Sequence, residues 1–134
     1  MSLIESQNKV GAVRYIVNDV DASVDFYTKK LGFNVDMHVP GAFASLTLNN
    51  LRLFINRPGA GGAGQAMPDG TVPRPGGWNR FHLEVKDLVS AVEKLKKDGA
   101  IFRNDMITGV GGKQALLEDP SGNLIELFQS AVEN

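Results

Sequence analysis

Leu116-Leu117-Glu118-Asp119-Pro120-Ser121-Gly122-Asn123-Leu124-Ile125-Glu126-Leu127-Phe128 reads as strand, tight turn, strand. Proline at the second turn position pre-sets φ, and glycine accepts a backbone conformation that a Cβ resists. Beyond the turn, Leu124, Glu126 and Phe128 point to one side and Ile125 and Leu127 to the other, because side chains alternate along a strand. Glu126 is therefore a carboxylate in the middle of an apolar strand. Such a residue sits at a sheet edge in water or points into a cavity that uses it.

The chain leading to this stretch has the same grammar. Arg80 to Lys86 is a strand, with Phe81, Leu83 and Val85 on one face and Arg80, His82 and Glu84 on the other. Asp87 then caps a helix whose apolar stripe is Leu88, Ala91, Val92 and Leu95. Lys96 and Lys97 suit its C-terminal dipole, and Gly99 ends it. Ile101 to Arg103, Gly112 to Glu118 and Asn123 to Gln129 are the remaining strands.

The first half repeats this order. Val10 to Val17 is a strand, Asp19 a cap, and Val20, Val24, Tyr27 and Leu31 a helical stripe stopped by Gly32. Phe33 to Val39, Ala42 to Leu48 and Leu51 to Asn56 come next as strands, joined by turns at Pro40-Gly41 and Asn49-Asn50. Val17-x-Asp19-Val20 recurs as Val85-x-Asp87-Leu88, Gly32-Phe33 as Gly99 and the residues after it, and Asn50-Leu51 as Asn123-Leu124. The repeat predicts an α+β fold of two tandem βαβββ modules, residues 10–56 and 79–129. The modules are expected to form a curved eight-stranded sheet around a central cup, as one domain spanning residues 1–134.

Arg57 to Trp78 is crowded with glycine and proline and reads as a linker loop. Its Gly59-Ala60-Gly61-Gly62-Ala63-Gly64 matches G-x-G-x-x-G, but no helix of a βαβ unit comes after it, so a dinucleotide site is rejected. Gly109-Val110-Gly111-Gly112-Lys113-Gln114 lacks the spacing of a phosphate-binding loop and reads as a flexible entry to a strand. Alternation places either Lys113 or Gln114 on the Glu126 face. His38 lies in a strand with no recognisable partner, and Met1-Ser2-Leu3 reads as part of an expression leader.

The chain has 134 residues, no cysteine and a formal net charge of −1. Disulfides, thiolate nucleophiles and cysteine-ligated metals are thereby excluded. Lysines and arginines are scattered, so neither a nucleic-acid nor a membrane surface is expected. No apolar run approaches the roughly 18 residues of a membrane span, and no signal-peptide pattern opens the sequence, so a cytoplasmic protein is expected.

The Asp119-Pro120-Ser121-Gly122-Asn123 turn followed by Glu126, with the doubled βαβββ order, resembles the vicinal-oxygen-chelate superfamily over nearly the whole chain, from Val10 to Phe128. That superfamily includes glyoxalase I, extradiol dioxygenases, methylmalonyl-CoA epimerase and bleomycin-resistance proteins. The resemblance implies a homodimer and four metal-ligand positions, one on the first and one on the fourth strand of each module. Carried over on the strand motifs, these are Ala12, Leu53, Arg80 and Glu126. Only Glu126 offers a metal-binding side chain, and Arg80 brings a permanent positive charge. A slip of two residues would add His82, still short of the three or four ligands a transition metal wants. No metal and no other cofactor is therefore expected.

Arg14, Arg80, His82 and Glu126 are then the polar groups facing the cup, with Leu53, Leu124 and Phe128 among its apolar lining and Trp78 at its aperture. One reading is an Arg80–Glu126 pair left where a metal would sit. Three functions stay open: a metal-free binder of a small molecule, with the arginines favouring an anionic one; a lyase or isomerase in which Glu126 or His82 moves a proton while Arg80 stabilises an oxyanion; and a metal-dependent lyase or dioxygenase with the ligands misplaced.

Overall fold

Asp19 and Asp87, the two predicted caps, each accept the backbone N–H three residues on: Ala22 N at 3.0 Å and Ser90 N at 3.1 Å from Oδ1. Each thereby satisfies one of the donors that a helix start leaves orphaned. The computed structural model describes residues 10–132; Met1-Ser2-Leu3 lies outside the described residues. It divides into two units between Arg74 and Pro75.

The first unit runs β1 (Ala12–Ile16), α1 (Val20–Leu31), β2 (Asn34–Val39), β3 (Phe43–Leu48), β4 (Leu51–Asn56) and a one-turn helix α2 (Gly61–Gly64). Its sheet order is β1-β4-β3-β2, with β1 parallel to β4 and the other pairs antiparallel. Gly32, at φ 81°, lets its own N–H reach Thr28 O (3.1 Å) and that of Phe33 reach Tyr27 O (3.0 Å), which closes α1. One face of the sheet packs under α1. Tyr15, Val17, Ala44, Leu46, Leu53 and Ile55 meet Val20, Val24 and Tyr27 there, all buried. Each valine, leucine or isoleucine among them removed from water stabilises the fold by about 1.5–3 kcal/mol.

The second unit runs β5 (Arg80–Glu84), α3 (Leu88–Lys97), β6 (Ile101–Phe102), β7 (Ile107–Thr108), β8 (Gly112–Glu118) and β9 (Leu124–Ser130). Its order is β5-β9-β8-β6, β5 is again parallel to β9, and β7 also pairs with β8. Phe81, Ala115, Leu117, Ile125 and Leu127 are buried with Leu88, Val92 and Leu95 of α3. The βαβββ order is thus present in both units, with four strands in the sheet of the first and five in that of the second. The extra strand arises because the second edge is split. Between β6 and β7, Asn104 Oδ1 accepts the Leu116 N–H at 3.1 Å, so a side chain replaces the ladder where Asn104 and Asp105 disfavour strand. The predicted loop after Arg57 also contains a turn of helix, α2, which the absence of periodicity concealed.

His38 has a partner after all. Its Nε2 lies 2.8 Å from Asp21 Oδ1 on α1, and the same oxygen accepts the Gly41 N–H at 3.0 Å. The Gly41 N–H first and His38 second hold the Asp21 carboxyl below its ordinary value of 3.8. A depressed folded pKa adds stability above the unfolded value that is lost as pH falls through the folded one. Asp21→Asn is therefore expected to flatten the acid limb of urea-unfolding stability below about pH 4. An unchanged acid limb would show that the contact contributes nothing.

Candidate functional site

In the second unit, the face of the sheet turned away from α3 collects the polar residues. Parallel register sets Arg80 beside Leu124, His82 beside Glu126 and Glu84 beside Phe128; antiparallel register adds Gln114, Leu116 and Glu118 from β8. Paired residues share a face, so this is one surface. It also settles which residue of the Lys113-Gln114 pair belongs there. Gln114 pairs with Phe128, whereas Lys113 pairs with Gln129, whose Oε1 accepts the Leu88 N–H of α3 on the other face.

Arg80 Nε donates to Glu126 Oε1 at 2.9 Å, and one of its terminal nitrogens donates to Trp78 O at 3.4 Å. The Glu126 side chain is 16% exposed and that of Arg80 30%, so the pair is partly shielded from water. His82 Nε2 stands 3.7 Å from the other carboxylate oxygen, too far for a hydrogen bond, and its ring lies 4.9 Å from that of Phe128. Trp78 is 67% exposed, and the Arg103 guanidinium sits 5.1 Å from its ring centroid. Arg103 in turn donates to Glu118 Oε2 at 3.3 Å and to Gly122 O at 3.1 Å. Two arginine–carboxylate pairs thus flank Trp78, one through its backbone and one over its ring. Arg103 and Glu118 were not among the predicted residues. The signal for Glu118 was present, since it alternates with Leu116 in the same strand; Arg103 ended a predicted strand too short to assign a face, and it lies just past β6. Leu124 shares the surface by register but is fully buried, so it supports Arg80 without offering area to a ligand.

In the first unit, the face away from α1 carries Ala12, Arg14 and Ile16 on β1 beside Arg52, Phe54 and Asn56 on β4. Arg14 donates to Asn56 Oδ1 through a terminal nitrogen. Leu53 is not on this face. It pairs with Val13, is fully buried and belongs to the core under α1. The counterpart of Glu126 is Phe54. Val17 N donates to Asn56 O and Val85 N to Phe128 O, both at 2.8 Å, which aligns the strand ends and places Phe54 opposite Glu126 in the repeat. Counting from Asn50-Leu51 is one residue out because the connections differ. Asn49-Asn50 joins Leu48 to Leu51 directly, whereas Glu118 pairs with Leu124 across a five-residue turn, Asp119 to Asn123. A one-residue slip moves a strand residue to the opposite face.

These donors do not fit a divalent ion. Ala12 and Phe54 have no lone pair for a metal, and Arg80, a cation without one, already holds Glu126. Among the described residues no group of three or more His, Asp or Glu side chains is placed to ligate one.

The sequence model of the Glyoxalase/Bleomycin resistance protein/Dioxygenase superfamily matches residues 9–127. No curated protein matches by sequence. Among solved structures, the chain is similar to a lactoylglutathione lyase from Agrobacterium tumefaciens (17% identity, TM-score 0.69, 93% of this chain and 96% of that one). It is also similar to a glyoxalase/bleomycin resistance protein/dioxygenase from Nocardioides (22%, 0.71, 98% and 89%). A third is TnmS3, an antibiotic binding protein from Streptomyces sp. CB03234 (20%, 0.64, 94% and 100%). At these identities the likeness is one of fold. Among the described residues no helix is long and apolar enough to cross a membrane.

Proposed function

Because the chain belongs to the Glyoxalase/Bleomycin resistance protein/Dioxygenase superfamily, a fold shared by enzymes and binders, we propose that it is a small-molecule binding protein working without a metal. The ligand lies on the open face of the second unit, with an anionic group on Arg80 and a flat apolar part against Trp78 and Phe128. The observation that carries this reading is the division of labour on Arg80. Its Nε and one terminal nitrogen are engaged by Glu126 and Trp78 O, which fixes the guanidinium, while the other terminal nitrogen retains donors for a ligand oxygen. A pre-positioned arginine beside an exposed tryptophan binds at little ordering cost. The antibiotic binding protein among the similar structures supports the class of function. We read the chain as a homodimer too, since edge strand β2 leaves Val35, Met37 and Val39 exposed.

A lyase or isomerase is the second reading, favoured by one observation. Glu126 Oε2 faces His82 across 3.7 Å and is left as an acceptor for a substrate proton.

A thermal-shift panel of aromatic carboxylates and their neutral amides tests the first reading. Carboxylates should raise the melting temperature saturably, amides should not, and Arg80→Ala should lose the response. Elemental analysis of protein purified without a metal-affinity column should find metal well below stoichiometric. A stoichiometric metal lost in Glu126→Ala, or turnover of a panel compound lost in Glu126→Gln, would overturn the binder in favour of an enzyme.

A further inference from the structure

The first unit carries a second cluster that the Arg80 surface does not use. On the face away from α1, the guanidinium carbons of Arg14 and Arg52 lie 5.0 and 5.1 Å from the centroid of the Phe54 ring. Phe43 packs beside that ring at 6.0 Å. Stacking on an aromatic face fixes a guanidinium while leaving its in-plane N–H groups available. Arg14 uses one terminal nitrogen on Asn56. Among the described residues neither arginine meets a carboxylate, in contrast to Arg80 and Arg103. Two cations sharing one ring repel each other, and no described carboxylate ion-pairs with either; Asp36 accepts from the hydroxyl of Thr47, the residue opposite Arg52, without reaching a guanidinium.

Ser45 supplies the second, independent observation. It pairs with Phe54 across β3 and β4 and so lies on the same face. It is 5% exposed, and its hydroxyl is the one buried side-chain polar atom without a hydrogen-bond partner among the described residues. Buried polar groups are nearly always paired, so an orphan hydroxyl on the same sheet face as two guanidiniums without an ion pair marks a missing partner. Guanidiniums only donate, so that partner must accept from them, and a hydroxyl can donate to it as well. A neutral acceptor would leave the charges in place, whereas an oxyanion answers both features.

We propose that Arg14, Arg52 and Ser45 form an oxyanion-binding site on the first unit, taking a carboxylate or phosphate group, with Phe54 as the platform that holds the two arginines. None of these residues belongs to the Arg80 surface.

Isothermal titration with inorganic phosphate and, separately, with acetate, which lacks the flat apolar part that the Arg80 surface takes, tests this at ionic strength held constant with sodium chloride. Saturable binding of at least one probe is expected, and which one binds distinguishes phosphate from carboxylate. Arg52→Gln should weaken it by about tenfold or more, and Ser45→Ala by roughly threefold to tenfold. Ser45→Ala should not lower the melting temperature without ligand, because the hydroxyl it removes has no partner to lose. Arg80→Ala should retain this binding. Absence of saturable binding, binding unchanged in Arg52→Gln, binding unchanged in Ser45→Ala, or binding abolished by Arg80→Ala would each overturn the proposal.

Discussion

Gly112→Ala is expected to destabilise the protein by about 3 kcal/mol, the upper range for forcing extra volume into packed structure. A Cβ at Gly112 would stand 2.1 Å from Gln129 O, 2.8 Å from Phe128 Cζ and 3.1 Å from Ala131 N. Two of those three atoms are backbone of the neighbouring strand end. They cannot withdraw, because Gly112 pairs with Ser130, Ala131 N donates to Gly111 O at 2.9 Å, and Gly109 N donates to Gly112 O at 2.8 Å. The φ of 151° adds a conformation that L residues rarely adopt. Pushing the Phe128 ring also disturbs the ring of His82, so ligand affinity should fall together with stability. Gly111→Ala is the control, since its Cβ would meet nothing within 4 Å. Urea unfolding of the two variants side by side decides the matter; a loss below about 1 kcal/mol for Gly112→Ala would mean that β8 and β9 part easily there.

Asp119→Ala should cost a similar amount, again about 3 kcal/mol, for an electrostatic reason. Asp119 is buried, and its Oδ1 accepts the N–H groups of Ser121 (2.8 Å) and Asn123 (2.9 Å) while Oδ2 accepts Asn123 Nδ2 (3.1 Å). Asn123 passes the order on by accepting Gly76 N–H at 2.8 Å. Truncation leaves these donors without a carboxylate. Hydrogen bonds to charged groups are worth about 1.5–3 kcal/mol, and orphaned buried donors about 1–3 each. Asp119→Asn keeps one acceptor oxygen and should lose roughly half as much by the same reasoning. Hydrogen exchange at the Gly76 amide should quicken in Asp119→Ala. Protection left intact there, with unfolding unchanged, would show that the turn holds itself by its backbone alone.

Those two residues also show what kind of information the sequence carried. The Asp-Pro-Ser-Gly turn was legible because each residue has a local reason to be there: Asp119 O accepts Gly122 N–H at 3.0 Å, with proline and glycine where such a turn wants them. Val20–Leu31, Leu51–Asn56 and Gly112–Glu118 fall at their predicted bounds because periodicity and caps are local signals too. Alternation was enough to bring Arg80 to Glu126, since both lie on strands whose faces were read correctly. Leu53 was misplaced because its face depends on register, and register depends on the length of a connection that has no periodicity. Gly112 read as a flexible entry, when its lack of a side chain is demanded by a strand contributed from later in the chain. The Ser45 hydroxyl and the Arg103–Glu118 pair were invisible for the same reason: each is defined by neighbours on other strands.

In both sheets the strand made first lies beside the strand made last, β1 against β4 and β5 against β9. That order matters during synthesis. As the chain leaves the ribosome, β1 has no described ladder to join until Asn56 has emerged, because among the described residues its sheet neighbour is β4. The β2–β3 hairpin can pair earlier, and α1 can coil on its own, yet the sheet lacks an interior strand until the end. Each sheet is therefore completed by its last strand, slow to nucleate because that pairing joins the two ends of the βαβββ module and abrupt once it happens. A nascent chain cut short within β4 or β9 would expose an apolar sheet face and an unpaired first strand, the combination that draws chaperones or drives aggregation.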